Sequence, residues 1–494
     1  MALKMVIDLT RSGRFIRGKG VESLQGEDMN GRRPQNFKPA LKRPFGNAVF
    51  FNFIFICLLT AFFIDARKVL AEEPAGGVRT AAEMTLTLED VWKMTLLAGD
   101  DIRIAGEGVA QAQASVDKAL STFLPRITAE TGITKYSDRK VSGSLVTQPD
   151  DSARFDLKIT QPLYTGGTEW SARRLARMRL EKSGATLGYA RQSAMLRAAR
   201  AFFSVLKSQK DMEIKRAALK RAEERRKVAT ARFKVGEVTR SAVLRAEAET
   251  ANGEAELIRA ESAIRDAKSF LKRTLNVTED LNVVEPEAFT AANASEEALI
   301  KTAYENRLDY KGSVLDQKLA GEGITYAKGN FLPSVRLEGA YDWKKQNPTT
   351  AFLVEDSVNA SVVLSYPLFE GGLRKAELSE ARSKLRESEL RRHSLMRDIE
   401  VEVRQAYNSI ESARAVIDAY KKQLSFAEED YKMVFEQFKF GIATTVDVID
   451  ADSTLISAQR SLMNSSYDLQ LAILELNYST GVLSPGIQAP KRSQ

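Results

Sequence analysis

Three short stretches of this chain occur twice, in the same order. Phe123-Leu124-Pro125 returns as Phe331-Leu332-Pro333. Pro162-Leu163-Tyr164-Thr165-Gly166-Gly167 returns as Pro367-Leu368-Phe369-Glu370-Gly371-Gly372. Arg232-Phe233-Lys234-Val235-Gly236 returns as Gln437-Phe438-Lys439-Phe440-Gly441. The offset is 208 residues for the first pair and 205 for the other two, so the copies differ by a short indel. A period this long is not that of a solenoid, whose units run to about 20–50 residues. It points to two similar half-molecules, 72–275 and 296–483. The stretch 276–295, with Pro286 and many polar residues, reads as a linker, and 484–494 as a tail.

Each copy has the same internal order: helix, two strands, long helix, turn, helix. The strands are expected at 126–136 and 153–164, and at 334–344 and 358–369. Phe155, Leu157 and Ile159 alternate with Asp156, Lys158 and Thr160. Val335, Leu337, Tyr341 and Trp343 alternate with Arg336, Glu338 and Asp342. Each strand is about ten residues, enough to cross a bilayer at a tilt. A single such strand also fits a sheet with one wet face. Four matched strands in one chain favour a barrel. The helices are longer than globular packing needs. No proline occurs between Pro162 and Pro286 or between Pro367 and Pro485, so 168–231 and 373–436 read as unbroken helix. At 1.5 Å per residue each would run roughly 95 Å. In the second copy Val403, Ile410, Ile417, Leu424, Tyr431 and Phe438 fall seven apart, with Ala406, Ala413, Tyr420, Ala427 and Val434 three further on. That is a coiled-coil seam. The first copy keeps the register as Ala198, Val205, Met212, Leu219, Arg226 and Phe233, with Arg226 as a break.

The formal net charge of +8 raises the question of nucleic-acid binding. Residues 1–71 hold 12 Lys/Arg and 5 Asp/Glu, and the rest of the chain holds 61 and 60. The excess is therefore N-terminal, and no nucleic-acid partner is expected. It precedes an uncharged apolar run from Ala48 to Ile64 and then Val69-Leu70-Ala71. Basic region, apolar region and a small residue at the cut make a secretory signal, with cleavage after Ala71. A retained anchor is the alternative, since the run is at the short limit for a spanning helix. The start is Met1 or Met29. Cleavage would remove Cys57, the only cysteine, and lipidation is not expected because Ile56 precedes it. With one histidine, His393, there is no His/Cys cluster to bind zinc, and a nucleophile–histidine–acid arrangement could use only that residue. No phosphate-cradling glycine loop occurs. The chain is read as neither an enzyme nor a cofactor protein. His393 and the basic run Lys220–Lys227 are read as solvated or subunit-facing helix surface.

Export, duplication, paired strands and very long helices make this chain resemble the TolC-type outer-membrane factor family. The residues that carry the resemblance are the Phe-Leu-Pro junctions ending at Pro125 and Pro333, and the junctions from Pro162 to Gly166-Gly167 and from Pro367 to Gly371-Gly372. The turns Val235–Arg240 and Gly441–Ala451 match as well, and the likeness spans about 85–483. It implies a mainly helical mixed α and β fold. In a homotrimer, four strands per chain would close a twelve-stranded barrel among outer-membrane lipid. The helices would form a periplasmic α-barrel. The implied function is a passive exit duct for proteins or small toxic compounds. The implied partners are a periplasmic adaptor (membrane fusion protein) and an inner-membrane ABC or proton-driven transporter. The alternative is a structural or adhesive coiled-coil protein of the envelope.

The resemblance places the tunnel entrance at the turns after Gly236 and Gly441. Asp447 and Asp450 fall where relatives carry acidic rings, which favour cations in a pore. From the residues alone, the two acids equally suit the start of a helix, where its dipole favours negative charge. The chain also departs from the family. The tyrosine, arginine and aspartate that link the turns in the best-known members correspond here to Phe438, Ala443 and Ala242, which cannot make polar links. Arg240 and Glu237 are then the candidates to join the turns.

Overall fold

A computed structural model describes residues 84–484, apart from 292, 293 and 351. The expected signal segment and cleavage point lie outside the described residues, as does the tail beyond Ser484.

The first copy runs β1 (Met84–Leu86), α1 (Leu88–Ala98), α2 (Asp100–Ser121), β2 (Arg126–Lys135), the short hairpin β3 (Lys140–Ser142) and β4 (Leu145–Gln148), β5 (Asp151–Thr165), α3 (Thr168–Lys234) and α4 (Arg240–Leu275). After β6 (Leu281–Val283), the second copy runs α5 (Glu296–Asn306), α6 (Leu308–Gly329), β7 (Ser334–Asn347), β8 (Asp356–Ser365), α7 (Leu373–Lys439) and α8 (Thr445–Ser479). The two long helices, α3 and α7, are 67 residues each, close to 100 Å at 1.5 Å per residue.

The opening helices and the last long strand depart from the expected pattern. Each copy opens with two helices, not one, broken at Gly99 and at Arg307. Gly99 is extended, and a Cβ there would stand 2.6 Å from the Thr95 carbonyl oxygen. The last strand ends at Ser365 instead of continuing to 369. Pro367 has no N–H to offer a ladder, and Leu368 and Phe369 are left exposed.

The four long strands form one antiparallel sheet in the order β2-β5-β7-β8. β5 and β7 join the copies at its centre, and β2 and β8 are its edges. Register puts Phe155 opposite Trp343, and Leu157 opposite Tyr341, on the apolar face. The polar face is tied by Lys158–Glu338 at 3.2 Å and Arg336–Glu338 at 2.5 Å. Pro162 lies at a bulge between β5 and β7, where a missing donor is tolerated. No helix among the described residues is long and apolar enough to cross a membrane.

The main core draws on both copies. Trp92 of α1, Phe202 and Phe203 of α3, Leu271 and Leu275 of α4, and Leu474 of α8 are buried together. The stretch 276–295 contributes to it: β6 pairs in parallel with β1 and puts Leu281 and Val283 into this core. A second cluster seats Leu299 of α5, Ile399, Val403 and Ile410 of α7, and Ile473 of α8. The heptad seam of α7 is buried at Val403, Ile410, Ile417 and Phe438. In α3 the seam holds at Ala198 and Val205 and then drifts. Ala222, Arg225 and Ala229 are buried near its end, while Arg226 and Phe233 face out. Near that end the inward face is set by what packs there, Phe438 of α7 and Val448 and Asp452 of α8, and not by the seven-residue repeat.

Candidate functional site

The strand-to-helix junctions are built from glycine backbone. Gly166 and Gly167 have φ of 69° and 82°, and Gly371 and Gly372 have φ of 60° and 88°. This left-handed region admits glycine at little cost and opposes other residues. The second glycine of each pair is the N-cap of a long helix. The two junctions differ in their surroundings. A Cβ on Gly166 would stand 2.2 Å from the Gly329 carbonyl oxygen, at the end of α6. Around Gly371 there is open space. Pro125 and Pro333 stand just before β2 and β7.

At the opposite end, both long helices close in the same way. Gly236 N–H donates to the Phe233 carbonyl and Glu237 N–H to the Arg232 carbonyl, at 3.0 and 2.9 Å. Gly441 N–H donates to the Phe438 carbonyl and Ile442 N–H to the Gln437 carbonyl, at 3.2 and 2.9 Å. These are two Schellman caps, with φ of 81° at Gly236 and 80° at Gly441. The paired turns bring together all four long helices around a small cluster of Ala229, Ala246, Phe438 and Val448. Phe438 is fully buried there, with Ala443 packed against the cluster.

The helices after the turns start differently. Thr444 and Asp447 form a capping box at the start of α8. The Thr444 side chain accepts from Asp447 N–H, and the Asp447 carboxylate accepts from Thr444 N–H and from its hydroxyl, both at 2.7 Å. These bonds, the backbone one first, hold the Asp447 carboxyl below the usual carboxylate range. Asp450 lies one turn on, and both acids are exposed. Asp447 therefore serves the helix start and still presents its charge to solvent. In the first copy Thr239 caps α4 without a side-chain bond. The positions matching the two acids there are Ala242 and Arg245, with Arg245 exposed.

Of the two residues expected to link the turns, Glu237 pairs with Arg232 at 3.1 Å, within the first turn. Arg240 is exposed and has no hydrogen bond or ion pair among the described residues. The link between turns comes from Arg232. It donates to the Phe438 carbonyl at 2.8 Å, its guanidinium lies 5.6 Å from the Phe438 ring centre, and it packs against Gly441. Further from the tip, Arg221 and Arg225 of α3 bind the two carboxylate oxygens of Asp452 on α8, at 2.5 and 2.7 Å. Arg225 and Asp452 are 4% and 3% exposed, although Arg225 lies in the run 220–227 expected to be solvated or subunit-facing. The Arg221 guanidinium also faces the Tyr431 ring of α7 at 5.5 Å. Only the neighbouring heptad position, Arg226, stood out in the sequence. Periodicity cannot show which basic residue of a run turns inward, or that an acid on a distant helix meets it. Among the described residues no group of three or more His, Cys, Asp or Glu could hold a metal. His393 is exposed on α7.

Known proteins share this architecture. The family described as outer membrane efflux protein matches residues 93–277 and again 299–482. The outer membrane protein TolC of Vibrio cholerae is 25% identical over 378 residues, covering 75% of this chain and 85% of TolC. The alkaline protease secretion protein AprF of Pseudomonas aeruginosa is 24% identical over 448 residues, covering 81% of this chain and 87% of AprF. The crystal structure of the CmeC outer membrane channel of Campylobacter jejuni superposes with a TM-score of 0.71 at 16% identity, covering 81% of this chain and 87% of CmeC.

Proposed function

The chain belongs to the outer membrane efflux protein family, and on that premise we propose how its parts divide the work of export. It is an outer-membrane channel of efflux or secretion, with its helical tunnel in the periplasm. The observation that carries the finer reading is the pair of free sheet edges, β2 and β8. An open edge cannot face lipid, because each unpaired backbone group in hydrocarbon costs several kcal/mol. Pairing the β8 of one protomer with the β2 of the next removes every edge, and three protomers give a barrel of twelve strands. The same step seats α7 of one protomer beside α2 of the next, repeating between chains the way α3 meets α6 within one.

In that homotrimer the six turns surround the periplasmic entrance. Asp447 and Asp450 of three chains form an acidic ring that favours cations. An adaptor and an inner-membrane transporter, of the ABC or the proton-driven kind, deliver proteins or small toxic compounds to it. AprF, a protease secretion protein, supports the first cargo, and CmeC the channel architecture. The chain itself supplies no energy.

Planar-bilayer recording of purified trimers tests this reading. Asp447→Asn combined with Asp450→Asn is expected to lower the cation-to-anion permeability ratio. Equal permeability in the parent channel, unmoved by the double substitution, would sink the ring. The depressed Asp447 pKa sets the pH response. A carboxyl lowered by folding contributes above its ordinary value of 3.8 and is lost only as pH falls through the folded value. Selectivity is therefore expected to persist from pH 7 down to about pH 5, where an ordinary carboxylate also stays charged. A selectivity already halved there would show that another group sets it.

A further inference from the structure

We propose that the outer rim of the barrel is fastened by a clasp between protomers. In it the β7–β8 loop of one protomer seats against the β3–β4 hairpin of the next, and Asp356 of β8 pairs with Lys135 of β2 across the seam. The proposal rests on the homotrimer reading above. The first observation is how the two free edges match. β2 and β8 are ten residues each. Antiparallel and in full overlap, Lys135 stands opposite Asp356 and Arg126 opposite Ser365. A slip of one residue would turn every side chain to the wrong face, and this register keeps the faces. Ile127, Ile133 and Lys135 lie on the apolar face, because Thr131 stands opposite Phe155. Val358 and Leu364 lie on the same face with Asp356, which stands opposite Trp343. The seam then sets Val358 against Ile133 and Leu364 against Ile127, with one pair of opposite charges at the outer end. A shift of two residues would set Lys135 against Val358, or Asp356 against Ile133.

The second observation is that each outer loop is incomplete within one protomer. Phe352 and Val354 of the β7–β8 loop are 83% and 66% exposed, and Val141 and Leu145 of the hairpin are 56% and 44% exposed. Clustered exposed apolar side chains mark a contact surface. The charges are complementary. Glu355 and Asp356 follow the apolar residues of the loop, and Lys135 and Lys140 flank the turn into the hairpin. All four are exposed and have no ion pair among the described residues. The hairpin's other charges are already used: Arg139 pairs with Asp150, and Asp138 accepts from Ser137 at 3.2 Å. One surface is therefore apolar and acidic, and the other apolar and basic.

The third observation is the contrast with the joint inside the chain. Where β5 meets β7, the outer ends are tied. Asp150 N–H donates to the Asn347 carbonyl at 2.8 Å, and Asn347 Nδ2 donates to the Asp151 carboxylate at 3.4 Å. The two copies are thus fastened at the rim within one protomer. The hairpin stands over the β2 edge and the β7–β8 loop over the β8 edge. Pairing those edges between chains brings the two loops side by side and supplies the tie that the seam lacks. Opposite charges facing each other across antiparallel strands stabilise the pairing, and like charges oppose it.

Detergent-extracted trimers of the full-length chain, in a Cys57→Ser background, test this. Leu145→Cys combined with Phe352→Cys is expected to give disulfide-linked trimers on mild oxidation, with neither single variant linked. Lys135→Asp is expected to lower the temperature at which trimers dissociate, and adding Asp356→Lys is expected to restore it. A trimer that carries both cysteines and stays unlinked overturns the clasp. Equal dissociation temperatures in Lys135→Asp and in the double exchange overturn the pairing of Lys135 with Asp356. Should the cysteine pair not assemble, Phe352→Asp is expected to lower the dissociation temperature and Phe352→Leu to keep it. An unchanged temperature in Phe352→Asp then overturns the clasp. A parental chain that runs as a monomer would instead remove the homotrimer reading, and the proposal with it.

Discussion

Gly166→Val is expected to abolish assembled protein in the outer membrane, leaving unassembled chains. Two costs add. The residue has φ of 69°, where a side chain with a Cβ loses roughly 1–2 kcal/mol and a β-branched one more. The Cβ would also stand 2.2 Å from the Gly329 carbonyl oxygen. That obstacle is backbone at the end of α6 and cannot rotate aside, so strand β5 and helix α3 would have to part from it. Together these costs rival the roughly 5–15 kcal/mol that holds a folded domain together. The amount of heat-resistant oligomer in detergent extracts reports the outcome directly. Gly371→Val is the informative companion. Within one protomer it meets only open space, so a lone chain would lose just the backbone term. If protomers repeat the internal contact around a ring, the neighbour's α2 closes on this junction. Ser121, the counterpart of Gly329 at the 208-residue offset, would then face it. Oligomer loss at Gly371→Val beyond that of Gly371→Ala would reveal this contact, and equal mild effects would argue against that packing.

Trp92→Ala is expected to be the most damaging single core substitution. Trp92 is 1% exposed in the main cluster, and its indole N–H donates to the Met195 carbonyl at 3.0 Å. Removing the ring costs about 3–5 kcal/mol in transfer and cavity terms. The freed carbonyl loses a hydrogen bond worth about 0.5–1.5 kcal/mol net. Trp92→Phe keeps most of the apolar volume and is expected to lose only about 1–2 kcal/mol. Thermal unfolding followed by circular dichroism separates the two. A Trp92→Ala midpoint within a degree of the parent would show that α1 is not held through this residue.

The long helices were legible because their causes are local. Proline-free runs, a glycine after each helix and a seven-residue apolar repeat placed the ends of α3 and α7 within a few residues. The strands were legible for the same reason, apart from the last, which Pro367 stops early. The short hairpin of β3 and β4 and the pairing of β6 with β1 were not foreseen. Segments of three or four residues carry too few side chains to show a period. The basic run around Arg225, with Glu223 and Glu224 interleaved, was read as solvated or subunit-facing surface. The partner of Arg225, Asp452, is 227 residues away.

Asp447 shows both sides of the boundary. A threonine followed by an acid three residues on is a local capping signal, and the sequence already offered a helix start as one reading of that acid. The duplication, the two strands per copy and the left-handed glycines follow from neighbours along the chain. Only the tertiary structure decided which copy's strand lies beside which, leaving β2 and β8 as edges. It alone decided that Gly166 touches backbone while Gly371 faces open space, and that Arg225 turns inward. Those outcomes depend on residues far apart in sequence being brought within a few ångströms, and no local spacing rule carries that information.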